Sequence, residues 1–333
     1  MSLASCLSHL AAASIVISEC RLSHDEMRNR RYWFKLLRLF LVALIFVVIL
    51  IPFLLGASLM LFLTRSGCNR SADPSWFNPA YETVTFPTTD NLEIEGYFIP
   101  GDEDATIIIV PAMHSDKGSH LDYGNIYNQA GFNVLTFDAR TCAGAKSHSL
   151  GYKEVDDVEA AYAYLRTRDD VDPMRIGLHG FSSAGATSMM AAGRIPEIRS
   201  VTAIGGYHDF NALVQPENLD IYLPQLFSFG ASLAYRIRVG ESITHLSPIN
   251  ALDEIAPRPL LLIYGNRESS LAGARQMLAR SEEVGGNTDL WIVDEAGHGE
   301  YLLVAREEFA QRAVRFHRAA LLGDVGDDDD TTN

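Results

Sequence analysis

Cysteine is scarce: four residues in 333, with no C-x-x-C pair. That excludes a disulfide framework as the basis of the fold and a thiolate zinc site as the basis of the chemistry. Cys6 and Cys20 stand near the start, Cys68 follows an apolar segment, and Cys142 lies in the body. A Cys68–Cys142 bridge is open to an oxidising compartment, though nothing in the sequence demands it. Basic charge is also scarce. Lys and Arg total 27 against 42 Asp and Glu, and seven of the 27 fall in residues 1–65 beside three acids. Residues 66–333 therefore hold 20 basic and 39 acidic groups, a balance of −19. Such a body repels phosphate backbones and anionic headgroups, which excludes nucleic acid as a partner. No internal repeat is present, and 47% hydrophobic residues exclude a disordered chain.

What is present begins with one long apolar run. Residues 39–63, LFLVALIFVVILIPFLLGASLMLFL, carry no charge over 25 positions. At about 1.5 Å per residue a helix of that length exceeds a hydrocarbon core of ~30 Å. Pro52 and Gly56 are tolerated in membrane helices. A soluble core helix rarely runs so far without a polar face. Arg28, Arg30, Arg31, Lys35 and Arg38 precede the run, and Arg65 and Arg70 follow it. The positive-inside rule then predicts a single-pass anchor with residues 1–38 cytoplasmic and the rest of the chain on the other side. The rival is a cleaved signal peptide, but its core would be too long and no A-x-A site follows. Gly67-Cys68 resembles the end of a lipoprotein signal, yet Arg65 stands where an apolar residue belongs. Residues 1–26 differ in composition from MRNRRYWFKLLRLF, which opens at Met27, and translation is expected to start there. Peptides upstream of Met27 overturn that expectation.

Residues 64–79 read as a linker, with a glycosylation sequon at Asn69-Arg70-Ser71, and residues 323–333 as an acidic disordered tail. Between them lie eight candidate strands: 82–86, 92–99, 106–110, 132–137, 175–179, 200–204, 259–264 and 289–293. Thr88-Thr89-Asp90-Asn91 makes the first two a hairpin. TIIIV and LLLIY are continuously apolar, which suits strands covered on both faces. Helices fit 119–129, 155–166, 183–194, 272–284 and 301–321. Repeated βα units after an antiparallel start predict an α/β sheet, mostly parallel, over residues 80–322. Residues 207–250 separate two strands by more than a loop's length and are rich in Tyr222, Leu223, Leu226, Phe227, Phe229 and Leu233. A small helical lid over a pocket is expected, lined by Tyr207, Tyr222, Leu226, Phe227 and Phe229; extra core helices without a binding role are the bland alternative.

The chemistry concentrates at RIGLHGFSSAGATSMMAAG, residues 175–193. A strand ends at Gly180-Phe181-Ser182-Ser183-Ala184-Gly185 and a helix of small residues begins. A serine on so sharp a turn projects its hydroxyl away from the sheet, and the helix N-terminus favours developing negative charge. Ser182 is the candidate nucleophile and Ser183 the alternative. The base is expected at His298, in a Gly-His-Gly loop after the last strand. The acid that fixes its tautomer is expected at Glu268, after the preceding strand, with Asp209 as the substitute. Glu268 beside Arg267 also reads as an ordinary solvated pair. Two backbone N–H groups should form an oxyanion hole, one on Ser183 and one on Met113. His114, Asp116 and His120 invite a metal reading, but no further ligand pair has suitable spacing.

With these residues in view, residues 80–322 resemble the α/β-hydrolase family. The chain order Ser182, Glu268, His298 matches that family's order of nucleophile, acid and base. Asp138-Ala139-Arg140-Thr141-Cys142-Ala143-Gly144 resembles its D-x-R-G-x-G-x-S turn, and Gly151-Tyr152-Lys153-Glu154-Val155-Asp156-Asp157-Val158 its G-x-x-E-x-x-D-V helix entry. The likeness is to membrane-anchored, single-domain members of the dienelactone hydrolase and Bem46 kind. Three departures stand out: Pro111-Ala112 where the family has His-Gly, Ala184 where it has Gly, and Glu where Asp is commoner. The resemblance implies a sheet of about eight strands, a serine hydrolase, and neither cofactor nor metal. The expected substrate is a small-molecule or lipid-like acyl ester, with thioesters, amides and acyl transfer as variants of one chemistry. The rival is a membrane-tethered binding module without catalysis.

Overall fold

A computed structural model describes the backbone of residues 4–323 and the side chains of residues 28–323. The acidic tail beyond Gly323 and the side chains of Cys6 and Cys20 lie outside the described residues. Helix α1 (Ala4–Leu63) runs unbroken for 60 residues, with no boundary at residue 38. Its segment 28–63 is long and apolar enough to cross a membrane. Two antiparallel strands follow, β1 (Glu82–Pro87) and β2 (Glu93–Ile99). The chain then alternates β3 (Thr106–Val110), α2 (Leu121–Gln129), β4 (Asn133–Phe137), α3 (Glu154–Leu165), β5 (Ile176–Phe181), α4 (Ser183–Arg194) and β6 (Ser200–Ile204). The cap region holds α5 (Phe210–Leu213), α6 (Pro224–Val239) and α7 (Leu252–Ile255). β7 (Pro259–Gly265), α8 (Leu271–Glu283), β8 (Asn287–Val293) and α9 (Tyr301–Leu321) complete the domain.

The eight strands form one sheet in the order β1-β2-β4-β3-β5-β6-β7-β8. β2 meets β4 antiparallel, and every pair from β4 to β8 is parallel. The apolar runs are explained by the two layers that cover the sheet. On β3, Ile108 and Val110 enter the core beneath α3, α4 and α8. Ile107 and Ile109 enter the core beneath α2 and α9. Alternate side chains thus point to opposite but equally dry faces, so the period-two pattern vanishes from the sequence. The parallel strands bring the C-terminal ends of β3, β5, β6, β7 and β8 to one rim, where ligands of such sheets bind.

A third core joins α1 to the cap. Met60, Ala231, Ala234, Tyr235 and Val239 are buried together. A Cβ on Gly56 would lie 2.1 Å from the Phe227 carbonyl oxygen, and one on Gly230 would lie 2.1 Å from that of Phe53. Only glycine allows the two backbones to approach so closely. The expected linker, 64–79, is fastened to the body rather than loose. Asn69 N–H donates to the His114 carbonyl at 2.8 Å, Thr141 Oγ1 donates to the Gly67 carbonyl at 2.6 Å, and a Cys68–Cys142 disulfide closes the same junction.

Candidate active site

The turn between β5 and α4 holds Ser182 at φ 59°, ψ −126°. A non-glycine residue there is strained, and a tight frame must hold it. Ser182 N–H donates to the Ile204 carbonyl at 2.7 Å. Gly180 has no room for a side chain: a Cβ would lie 2.2 Å from the Ala184 carbonyl oxygen. Ala184, which replaces the usual second glycine, is fully buried and keeps its methyl within the core. The departure from the family pattern therefore leaves the turn intact.

Ser182 Oγ lies 3.0 Å from His298 Nε2, and His298 Nδ1 lies 3.0 Å from Glu268 Oε2. Three side chains separated by up to 116 positions thus form one hydrogen-bonded line. His298 sits in the turn between β8 and α9, with Gly299 at φ 86°. Its ring lies 4.9 Å from the Phe181 ring, which fixes its plane. Space for the imidazole comes from Gly205, at φ +60° after β6, where a Cβ would fall 3.0 Å from His298 Nδ1.

The side chain of Glu268 is 1% exposed. Burial alone would raise its carboxyl group's pKa. Donors outweigh burial and hold it below the usual glutamate value: His298, Tyr301 Oη, Gly265 N–H at 2.6 Å and Ser270 Oγ at 2.9 Å. Glu268 is accordingly a buried, ionised carboxylate rather than a solvated partner of Arg267. Burial first, and the hydrogen bond to the Glu268 carboxylate second, push the Tyr301 phenol's pKa far up, so it stays a donor. Tyr301, Ser270, Gly205 and Gly265 were not singled out from the sequence. Tyr301 follows His298 by three residues at the start of α9, and no local pattern marks it.

Met113 N–H donates to Ser183 Oγ at 3.1 Å. Ser183 begins α4, so its own N–H is among the first-turn donors without a helical acceptor. Met113 N–H is thus taken up by the side chain next to Ser182. Asp209, the substitute acid, is elsewhere engaged: it caps α5 by accepting from Ala212 N–H at 2.8 Å and takes Ser247 Oγ at 2.9 Å. His120 Nε2 pairs with Ser115 Oγ, and Asp116 accepts from Ser71 N–H, Gly118 N–H and Ser119 Oγ. His114 is buried, and desolvation lowers its pKa. Among the described residues no group of three or more His, Cys, Asp or Glu side chains is arranged to hold a metal ion.

A cavity of about 650 Å³ opens over the line of three. Its walls include Leu63, Met113, Leu150, Tyr207 and Phe210, with Arg267 at the polar end. Tyr207 is among its walls, with its hydroxyl donating to the Leu150 carbonyl at 2.6 Å. Tyr222, Leu226, Phe227 and Phe229 do not line the cavity. Tyr222 is 61% exposed, and Phe229 turns outward against Phe53 with ring centroids 5.8 Å apart. The apolar residues of α6 are spent on α1 and on an outer face instead. Leu63, the last residue of α1, takes a place on the wall.

A model of the prolyl oligopeptidase family matches residues 126–323, more than half of the chain. The uncharacterized protein YfhR of Escherichia coli strain K12 is 27% identical over 196 residues, covering 56% of this chain and 63% of that protein. The thiohydrolase apmlB of Arthrinium phaeospermum is 28% identical over 134 residues, 37% of this chain and 42% of that one. The chain thus spans less than two thirds of these curated relatives. Among solved structures, an esterase of Pyrococcus furiosus aligns with a TM-score of 0.63 at 23% identity, covering 78% of this chain and 98% of its own. That likeness carries the fold, an α/β-hydrolase sheet with helices. The chain belongs to the prolyl oligopeptidase family.

Proposed function

We propose that this chain is a membrane-anchored serine hydrolase that cleaves a carboxylic ester through an acyl-enzyme on Ser182. The observation that carries the proposal is the line Ser182–His298–Glu268, each link 3.0 Å, opening on an apolar cavity. Ser182 Oγ bonds the substrate's carbonyl carbon as its proton passes to His298 Nε2. Glu268 accepts from Nδ1–H, fixes the tautomer and offsets the imidazolium charge. The carbonyl oxygen becomes an oxyanion and accepts from Met113 N–H and Ser183 N–H, worth about 3 kcal/mol per donor. Ser183 Oγ must yield the Met113 donor when substrate enters. The tetrahedral adduct collapses, the C–O bond to the alcohol breaks, and His298 returns its proton to the leaving alkoxide. Water then repeats the sequence on the acyl-enzyme and releases the acid.

The walls favour an ester over a peptide. Among the residues that line the cavity, Glu268 is the single carboxylate, and it is engaged by His298. No acidic pair is left to hold a peptide's amino terminus. Anchoring is supported by the apolar segment of α1, the basic residues before it, and a disulfide suited to an oxidising compartment. The test is labelling by a fluorophosphonate probe, followed by a panel of p-nitrophenyl esters and aminoacyl amides. Wild-type protein should label and prefer the esters, and Ser182→Ala should lose both properties while folded. A folded wild type that takes no label returns the chain to a tethered binding module.

A further inference from the structure

Of the nine large apolar side chains that stand exposed among the described residues beyond residue 66, five belong to residues 207–250: Leu213, Ile221, Tyr222, Phe229 and Ile237. Two of them, Phe229 and Ile237, lie on α6. Gly56 and Phe53 of α1 seat the backbone of α6 at Phe227 and Gly230, and Phe229 packs on Phe53. Both helices run the same way, since their ends reach one segment: His148 N–H donates to the Thr64 carbonyl just past α1, and on α6 Tyr235 Oη donates to the Ser149 carbonyl and Arg238 to the Lys146 carbonyl. The apolar first half of α6 therefore lies toward the interior of the α1 run, and Arg236 and Arg238 lie toward its exit.

Depth follows from length. A bilayer core needs about 20 helical residues, so counting from Leu39 it is crossed near Ser58. Phe53 and Gly56 then fall in the last turns inside the hydrocarbon, and Leu63 stands roughly 8 Å above its boundary at 1.5 Å per residue. An amphipathic helix at an interface sits with its apolar face ~5–10 Å into the boundary and its basic residues among the headgroups. α6 has that arrangement, held by its contact with α1. Leu63 closes the connection, for it is both the end of the apolar run and a wall of the cavity that holds Ser182.

Resting on the Ser182 reading above, we propose that α6 lies in the boundary of the leaflet at the exit of α1, and that the substrate is a long-chain acyl ester entering from that leaflet. The exposed face of α6 is then a lipid contact continuous with the lipid-facing side of α1. The acyl chain passes along Leu63, Met113, Leu150 and Phe210 to bring its ester carbonyl to Ser182. The bonds made and broken are those of the acyl transfer already described; the acid returns to the leaflet.

The test uses the full chain in phosphatidylcholine–phosphatidylglycerol vesicles. Cys6 and Cys20 are replaced by serine, and an environment-sensitive NBD label is placed through Phe229→Cys, Ile237→Cys, Leu55→Cys or Asp169→Cys. Fluorophosphonate labelling checks that each variant is folded. Labels at 229 and 55 should be quenched by doxyl lipids, with iodide quenching at 229 weaker than at 169 by about five-fold or more. The label at 237, near the arginines, should fall between. Methylumbelliferyl oleate held in the vesicles should have a higher kcat/KM than water-borne methylumbelliferyl acetate. Labels at 229 and 237 as open to iodide as the one at 169 overturn the placement of α6. Acetate cleaved in preference to the oleate overturns the substrate class. Loss of labelling and of both activities in the wild type overturns the serine-hydrolase reading instead, and leaves the placement of α6 to be decided by the quenching.

Discussion

Glu268→Gln separates the electrostatic role of the acid from its shape. The carboxylate accepts at Oε1 from Gly265 N–H, 2.6 Å away, and from Tyr301 Oη; at Oε2 it accepts from His298 and Ser270. Gly265 N–H is a backbone donor and cannot turn round. The amide oxygen of glutamine must therefore take the Oε1 position, and its NH2 must take the Oε2 position, facing His298 Nδ1. Ser270 Oγ can rotate to accept, but the imidazole can answer only by leaving Nδ1 unprotonated. Its proton then sits on Nε2, where it points at Ser182 Oγ and cannot receive the hydroxyl proton. The wrong tautomer in a preserved site lowers kcat by about 10⁴-fold, or ~5.5 kcal/mol of transition-state stabilisation. The measurement is kcat and kcat/KM on p-nitrophenyl butyrate across pH, with Tm recorded to exclude unfolding. Glu268→Asp, which keeps the charge on a shorter stem, should recover part of the loss. A folded glutamine variant within about tenfold of the wild type refutes the assignment, since no orienting acid is worth so little. A greater loss in Asp209→Asn would transfer the role to that residue.

Three further outcomes follow from the same geometry. Tyr301→Phe removes a donor to the Glu268 carboxylate, so the carboxyl pKa moves upward, the bond to protonated His298 strengthens, and the acid limb of the kcat/KM profile should shift to higher pH; an unmoved limb removes Tyr301 from the positioning of the acid. Ser183→Ala should keep fluorophosphonate labelling, whereas Ser182→Ala loses it, and Ser182→Gly should raise folding stability by about 1 kcal/mol through relief of the positive φ; labelling that follows Ser183 reverses the assignment of the nucleophile. Cys68→Ser opens a crosslink spanning 74 positions and should cost up to about 4 kcal/mol, read as a lower midpoint in denaturant, with unchanged stability showing that the junction holds without it.

Much of the fold was legible because its signals are local. The runs TIIIV and SVTAI are strands β3 and β6 at the expected limits, and α4 and α9 begin and end where the sequence placed them. Other boundaries moved by a residue or two. The elbow around Ser182 was legible because a serine among small residues between strand and helix has few other uses. Four of the expected pocket residues lie elsewhere for a physical reason: an apolar side chain looks the same in sequence whether it faces a cavity, another helix or the outside. Phe227 and Phe229 were therefore expected at the cavity that Tyr207 lines, although their helix is occupied by α1.

The sequence by itself determined the element types, the apolar reach of α1, the family, and the three residue types that could act together. Tertiary structure alone decided that Glu268 rather than Asp209 meets His298, that Tyr301 and Ser270 hold the acid, and that Cys68 reaches Cys142. Only the tertiary structure brought Leu63 to the cavity wall and α6 to the side of α1. Element type depends on neighbours within a few residues, whose spacing along the chain is their spacing in space. Contacts between distant residues depend on strand order and on how closely backbones can approach, and neither is written in any local pattern.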